Sequence, residues 1–175
     1  ADLPGVVTSD GLLDKQDMFG HLIIIGGGVI GMEFASIYSS LGHPVTVIEA
    51  LDRILPGMDK EIAQNLKMIL KKRGTDIHTG ARVEEILRAG DGRGLACRFV
   101  EKDKAWEVTA DGILIATGRR AYTGGLISEE SSQDIKDMAM ERGRIVTDGN
   151  HETSVPGIYA IGDVAGGIQL AHAAT

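Results

Sequence analysis

The sequence predicts an α/β protein built on a doubly wound parallel sheet, with a three-stranded antiparallel β-meander added to it. Three observations carry this expectation. Residues 21–49 read as a short apolar strand, a glycine-rich turn, a helix-length segment and a second β-rich run. A further helix-length stretch and another β run follow, giving β-α-β-α-β, the alternation that builds parallel sheets. Beyond it, residues 82–88, 95–100 and 105–109 are three short β-like runs separated only by Gly90-Asp91-Gly92 and the polar 101–104, the spacing of a meander.

Each element has a local cause. Residues 1–20 hold the turn signals Pro4-Gly5 and Ser9-Asp10-Gly11 and read as a connector. Leu22-Ile23-Ile24-Ile25 is apolar throughout, as a strand buried on both faces must be. The helix over 29–41 presents Ile30, Phe34, Ile37, Tyr38 and Leu41 at three- and four-residue spacing, a face for the sheet, and Gly42 ends it. Residues 45–48 form the next strand, closed by Glu49. After a loop over 50–58, Asp59 is a helix N-cap, with Ile62, Leu66, Ile69 and Leu70 as the apolar stripe. Lys71, Lys72 and Arg73 complement the negative helix end, and Gly74 supplies the left-handed stop. Residues 76–79 are the third parallel strand, and Ile113-Leu114-Ile115 is another buried one. Residues 121–143 read as loop with one helical turn, and residues 144–147 and 158–161 as two last short strands.

The glycine-rich turn carries chemistry. Gly26, Gly28 and Gly31 are spaced G-x-G-x-x-G, with Gly27 as an extra glycine. The first allows a tight turn, the second lets a pyrophosphate approach the backbone, and the third lets helix and strand pack closely. The helix end offers free N–H groups and a positive dipole. Glu49 ends the next strand 18 residues after Gly31 (49 − 31), where a carboxylate accepts from a ribose 2′-hydroxyl and repels a 2′-phosphate. NAD is therefore expected in preference to NADP. Two alternatives stand beside it: a stand-alone NAD-binding or sensing protein without catalysis, and a methyltransferase using the loop for S-adenosylmethionine. The second leaves the later half of the chain unexplained.

Composition narrows the classes. The 175 residues, 43% apolar with 24 glycines, suit one globular α/β domain or slightly more. A net charge of −7 argues against nucleic acid or an anionic membrane as partner. The single Cys97 excludes an intramolecular disulfide, and it reads as a buried structural thiol. His21, His43, His78, His151 and His172 include no i,i+4 pair, so no metal site is expected. No apolar run approaches 18 residues, and a cytoplasmic location is the expectation. The start at Ala1 without Met points to an excised piece, whose two ends are expected to be mobile.

Taken with Gly26–Gly31 and Glu33, the strand-end Ala116-Thr117-Gly118-Arg119 and the run Thr153-Ser154-Val155-Pro156-Gly157-Ile158-Tyr159-Ala160-Ile161-Gly162-Asp163 resemble the flavoprotein disulfide reductases, also called class I pyridine nucleotide-disulfide oxidoreductases. Residues 51–59 and 166–172 are most similar to members of the dihydrolipoamide dehydrogenase type. The resemblance implies a parent made of an FAD domain, an NAD domain inserted in it and a dimerisation domain, a homodimer in which FAD passes hydride to NAD. It implies residues 1–20 as a connector from the FAD domain and 21–118 as the NAD-binding core. Residues 119–161 would close that domain, and 162–175 would return to the FAD domain. It implies a cofactor site of Gly26, Gly27, Gly28, Val29, Ile30, Gly31, Glu33, Glu49, Val83, Gly118 and Asp163. Val29, Ile30 and Glu33 would approach the pyrophosphate and nicotinamide, Val83 the adenine, and Gly118 the NAD; Asp163 would face the FAD. The sole Cys97 cannot supply the redox pair of that family, and neither its second glycine motif nor its C-terminal His-Glu pair is found here. Ala121-Tyr122 stands where many members have Pro-Asn. The isolated chain is expected to bind without reducing a disulfide, and no residue in it is expected to act as general acid or base.

Overall fold

The computed structural model describes residues 3–90, 92, 94–167 and 169–174; Ala1, Asp2, Asp91, Arg93, Ile168 and Thr175, in or beside the turns and ends named above, lie outside them. The chain divides into two compact units, Ala1–Gly118 and Arg119–Thr175.

The first unit is an α/β structure with a five-stranded, all-parallel sheet in the order β1-β8-β2-β3-β4. Its strands are β1 (Val6–Val7), β2 (Leu22–Ile25), β3 (Val45–Glu49), β4 (Asp76–Thr79) and β8 (Gly112–Ile115). Helices α2 (Val29–Ser40) and α3 (Lys60–Lys72) make the crossovers, and α1 (Ser9–Leu13) is a single short turn. The meander is β5 (Ala81–Arg88), β6 (Leu95–Glu101) and β7 (Lys104–Ala110), antiparallel in the order β5-β6-β7. Period-two alternation sends the two faces of each parallel strand to different covers. Leu22 and Ile24 pack with Met32, Ala35 and Tyr38 of α2 and Ala63 and Leu70 of α3. Ile23 and Ile25 pack with Leu95, Cys97 and Phe99 of the meander. That double burial is why β2 is apolar at all four positions.

Three sequence expectations change. Residues 1–20 are not only a connector: Val6 and Val7 pair in parallel with Ile113 and Leu114, and Leu12 is buried. The packing faces of both helices are shifted. In α2, Met32 and Ala35 are buried beside the expected Tyr38 and the partly buried Phe34, while Ile37 and, just past the helix end, Leu41 are 49% and 61% exposed. In α3, Ala63 and Leu70 are buried and Leu66 packs beside them, while Ile62 and Ile69 lie outside. A helix held close to a sheet needs small residues at the contact, and bulkier ones move to its flanks. The caps hold as expected: the Asp59 carboxylate accepts from Glu61 N–H at 2.8 Å and from Ile62 N–H, and Gly74 has φ of +90°.

The second unit has little regular structure. It contains α4 (Gln133–Lys136) and a two-stranded hairpin, β9 (Met140–Glu141) with β10 (Arg144–Ile145). Its core is Met138, Ile145, Val155 and Ala160. The strand expected over 158–161 reduces to one isolated bridge, Tyr159 with Glu152. Gly157 and Gly162, both at positive φ, bracket it and turn the backbone out of an extended path.

Candidate functional site

The site begins where β2 ends. From β2 the chain runs through β3 to β4 on one side, while β8 lies on the other, so the loop after Ile25 opens at the point where strand order reverses. Crevices outside the carboxyl ends of strands at such a point are where doubly wound sheets bind ligands. Ala116 N–H donates to Ile25 O at 2.8 Å, bringing the end of β8 alongside the loop. Gly26 has φ of +112°, and a Cβ there would overlap the Ala116 carbonyl. A Cβ at Gly31 would overlap the Gly26 carbonyl, so α2 crosses the strand end closer than any side chain permits. Gly28 is different. Its backbone is extended, and a Cβ there would meet nothing within 4 Å. Two of the spaced glycines are required by the packing, and the third leaves open space.

That space faces the start of α2. Gly28 is the N-cap and offers no capping side chain; the first helical bond from this turn is Met32 N–H to Gly28 O at 2.9 Å. The N–H groups of Val29, Ile30 and Gly31 are thus the orphan donors of a twelve-residue helix, with the helix dipole behind them. Their natural complement is an anion small enough to come against the backbone. The residues present fit a pyrophosphate.

The loop is held rigid by its surroundings. Gly26 N–H donates to Ile48 O at 2.9 Å, and Leu55 N–H donates to Gly27 O at 2.7 Å. Leu55 is buried at φ of +48°, a conformation that costs a non-glycine residue about 1–2 kcal/mol. Glu49 supplies the third tether. It is 8% exposed, and its two carboxylate oxygens accept from Gly27 N–H and from Leu51 N–H, the latter at 2.7 Å. Sequence reasoning singled out Glu49 as an acceptor for a ribose hydroxyl; it did not find this backbone grip, nor Leu55. Each oxygen retains a second lone pair, so the grip and a hydroxyl contact are compatible.

The remaining predicted positions are spread out. Val29 is half exposed at the helix start, Ile30 is half-buried, and Glu33 is exposed on the next turn of α2. Gly118 lies just beyond β8 at φ of +143° with open space around it. Val83 is half-buried on β5 and packs on the core between sheet and meander. Asp163 belongs to the second unit, in a short 3₁₀ turn, with an oxygen 3.6 Å from Arg119 Nε. Gly26–Gly31, Glu49 and the end of β8 are therefore the residues that the first unit itself brings together.

Other chemically suggestive groups of the first unit are structural. Cys97 is fully buried on β6, and burial pushes its thiol up to about 11. His78 packs against the rings of both Phe99 and Trp106, with Nδ1 2.7 Å from Glu101 Oε2 and Nε2 3.0 Å from Asp76 Oδ2. The ring bridges the two carboxylates and pins β4 to the meander. Trp106 stacks on Phe99 as a packing anchor, with Lys104 Nζ 4.3 Å over its ring. Among the described residues no group of three His, Cys, Asp or Glu is placed to hold a metal, and no helix is long and apolar enough to cross a membrane.

A family profile described as pyridine nucleotide-disulphide oxidoreductase matches residues 2–175. The chain is 40% identical over 170 residues to a dihydrolipoamide dehydrogenase of Chaetomium thermophilum, covering 97% of this chain and 33% of that protein. It is 39% identical over 169 residues to the probable pyridine nucleotide-disulfide oxidoreductase RclA of Escherichia coli, covering 97% and 36%. A solved structure of the Escherichia coli protein, an HOCl-induced flavoprotein disulfide reductase, superposes with a TM-score of 0.81 at 36% identity, over 98% of this chain and 37% of that one. The chain spans about a third of the length of these relatives.

Proposed function

Because the chain belongs to the pyridine nucleotide-disulphide oxidoreductase family, we propose that it is the NAD(H)-binding part of a longer flavoprotein oxidoreductase of the dihydrolipoamide dehydrogenase kind. The observation that carries this reading is the open space at Gly28 in front of an uncapped α2, beside a buried Glu49. The binding domain is residues 3–118, since β1 belongs to its sheet; Asp163 and residues 162–175 belong with the FAD domain of the parent. When bound, the nicotinamide supplies the hydride-accepting ring. The chain's own residues bind and orient. Val29, Ile30 and Gly31 N–H groups hold the pyrophosphate, Glu49 accepts from the adenosine ribose, and Val83 borders the adenine. Ile30, Glu33 and Gly118 define the nicotinamide side.

Glu49 selects NAD(H) because a buried carboxylate that already holds two backbone donors cannot turn away from a 2′-phosphate. The isolated chain binds without turning over, since its one thiol is buried and poorly ionised. Calorimetric titration with NADH and NADPH tests the reading. Saturable NADH binding with NADPH at least tenfold weaker is the expected result, and Gly28→Val should weaken NADH about a hundredfold by displacing two or more charge-assisted hydrogen bonds. Equal affinity for both nucleotides would remove Glu49 as selector, and full affinity in Gly28→Val would remove the glycine loop as the site.

A further inference from the structure

A second concave surface of the first unit uses none of the residues assigned to the dinucleotide. It is a groove of about 400 Å³ between one stripe of α3 and the loop after β3. Lys60, Lys67, Met68 and Lys71 recur along the stripe at helical spacing, and Asp52 and Arg53 line the groove from the loop. Ile54 and Ala63, 1% and 2% exposed, make its apolar floor. The walls thus hold four cationic side chains and one carboxylate, +3 with every group charged (4 − 1), on a chain whose net charge is −7.

These cations are not neutralised within the chain. Among the described residues none of Arg53, Lys60, Lys67 and Lys71 forms an ion pair. Arg53 is committed to its own loop, donating to Pro56 O at 2.7 Å. Lys67 is the half-buried lysine of the three, and its Nζ donates to Thr79 Oγ1 at 3.1 Å. An ammonium has three donors, so two remain for a ligand. Burial, and after it the charge of Lys71, holds the Lys67 ammonium below the ordinary lysine value. Glu101 acts in the opposite sense, but its carboxylate is engaged with His78 Nδ1 at 2.7 Å. A carboxylate brought to Lys67 from outside supplies the counter-charge that the chain withholds.

We infer that this groove is a binding site for a small aliphatic carboxylate, a medium-chain fatty acid, with its chain on Ile54, Ala63 and Met68 and its carboxylate at Lys67. The unpaired cations call for an anion. A bare inorganic anion would leave the apolar floor in water, whereas an alkyl chain covers it. No described residue lining the groove is aromatic, so nothing there stacks on a nucleobase or an aryl ring. An unbranched chain suits the walls. Met68 is flexible and 51% exposed, and the methylene stems of the lysines extend the apolar surface beneath their charges. The volume is that of a small-molecule pocket.

The test is calorimetric titration of the whole chain with octanoate at fixed ionic strength, with acetate and octanol as comparisons. Saturable binding is expected, at least about tenfold tighter than either comparison. Lys67→Gln should weaken it about tenfold, and Lys67→Arg, which keeps the charge, should restore most of the loss. Met68→Ser, at a half-exposed position, should weaken it about fivefold with an unchanged melting curve. Lys72→Gln, outside the groove, should leave it unchanged. Gly28→Val should leave it unchanged too, so failure here and failure of the dinucleotide reading are told apart. Octanol binding as tightly as octanoate would reduce the groove to apolar adsorption, and acetate binding as tightly would reduce it to charge alone. Either result, absence of saturable binding, or insensitivity to both Lys67→Gln and Met68→Ser would overturn the assignment.

Discussion

The two crossover helices of this chain offer an anion two different kinds of surface. At the start of α2, the donors are backbone N–H groups, fixed by a loop that is tethered at Gly26, Gly27 and Leu55 and backed by fully buried strands. Along α3, they are the cationic side chains of Lys60, Lys67 and Lys71 beside an apolar floor of Ile54 and Ala63. Backbone donors need a scaffold placed to within a fraction of an ångström, and in return they carry no formal charge and lose no side-chain entropy. Cationic side chains tolerate a looser frame, but each must be immobilised on binding, and their attraction is screened by salt. The difference teaches that a packed parallel sheet is what makes a charge-free anion site possible.

Breaking the scaffold should have the largest effect. Gly31→Val drives a side chain into the Gly26 carbonyl, forcing α2 off β2. A loss of about 3 kcal/mol in urea-unfolding stability is expected, with NADH binding gone. If Gly31→Val keeps wild-type stability, the close crossing of helix and strand is not what holds the loop.

A smaller effect should follow from loosening one tether. Glu49→Gln must turn an NH₂ group toward either Gly27 N–H or Leu51 N–H, leaving a donor facing a donor. A cost of about 1–3 kcal/mol is expected, together with a narrowed preference for NADH over NADPH. Thermal melts and paired titrations separate the two consequences, and a wild-type melt would show that the carboxylate is not a tether.

The smallest effect distinguishes the cores. Cys97 is the one cysteine of the chain and is fully buried in the first unit, so thiol labelling reports the opening of that unit alone. Burial raises its thiol from an ordinary value near 9 to about 11. The folded state thus holds the proton more tightly than the unfolded chain. Its contribution is complete below pH 9 and is lost as pH rises from 9 to 11. Wild type should lose more stability across that window than Cys97→Ala, and labelling at pH 8 should be slow until the unit opens. Rapid labelling of the folded chain would contradict the packed core.

Much of the first unit was legible in the sequence because its signals are local. The apolar run at Leu22–Ile25, the spaced glycines, Asp59 as cap and Gly74 as stop each act over a few residues. The helix faces were legible only in part: Phe34, Tyr38, Leu66 and Leu70 pack as expected, but periodicity favours the largest apolar side chains, whereas α2 and α3 also turn Ala35 and Ala63 inward and leave Ile37, Ile62 and Ile69 outside. Strand β1 is two residues long, too short for any period, and only its pairing with β8 identifies it. The second grip of Glu49 depends on how the loop after β3 folds back. In the second unit, a cleft brings the pair Arg119 and Arg120 to Arg142 and Arg144, at least 22 positions further on (142 − 120), which no spacing rule connects.

The central claim is that the first turn of α2 holds the dinucleotide pyrophosphate. It is tested most directly by following backbone amide resonances during an NADH titration. The account predicts saturable shifts largest at Gly28, Val29, Ile30 and Gly31, with smaller ones at Gly27 and Leu51 through Glu49. Saturable binding that leaves the amides of residues 28–31 in place would contradict it.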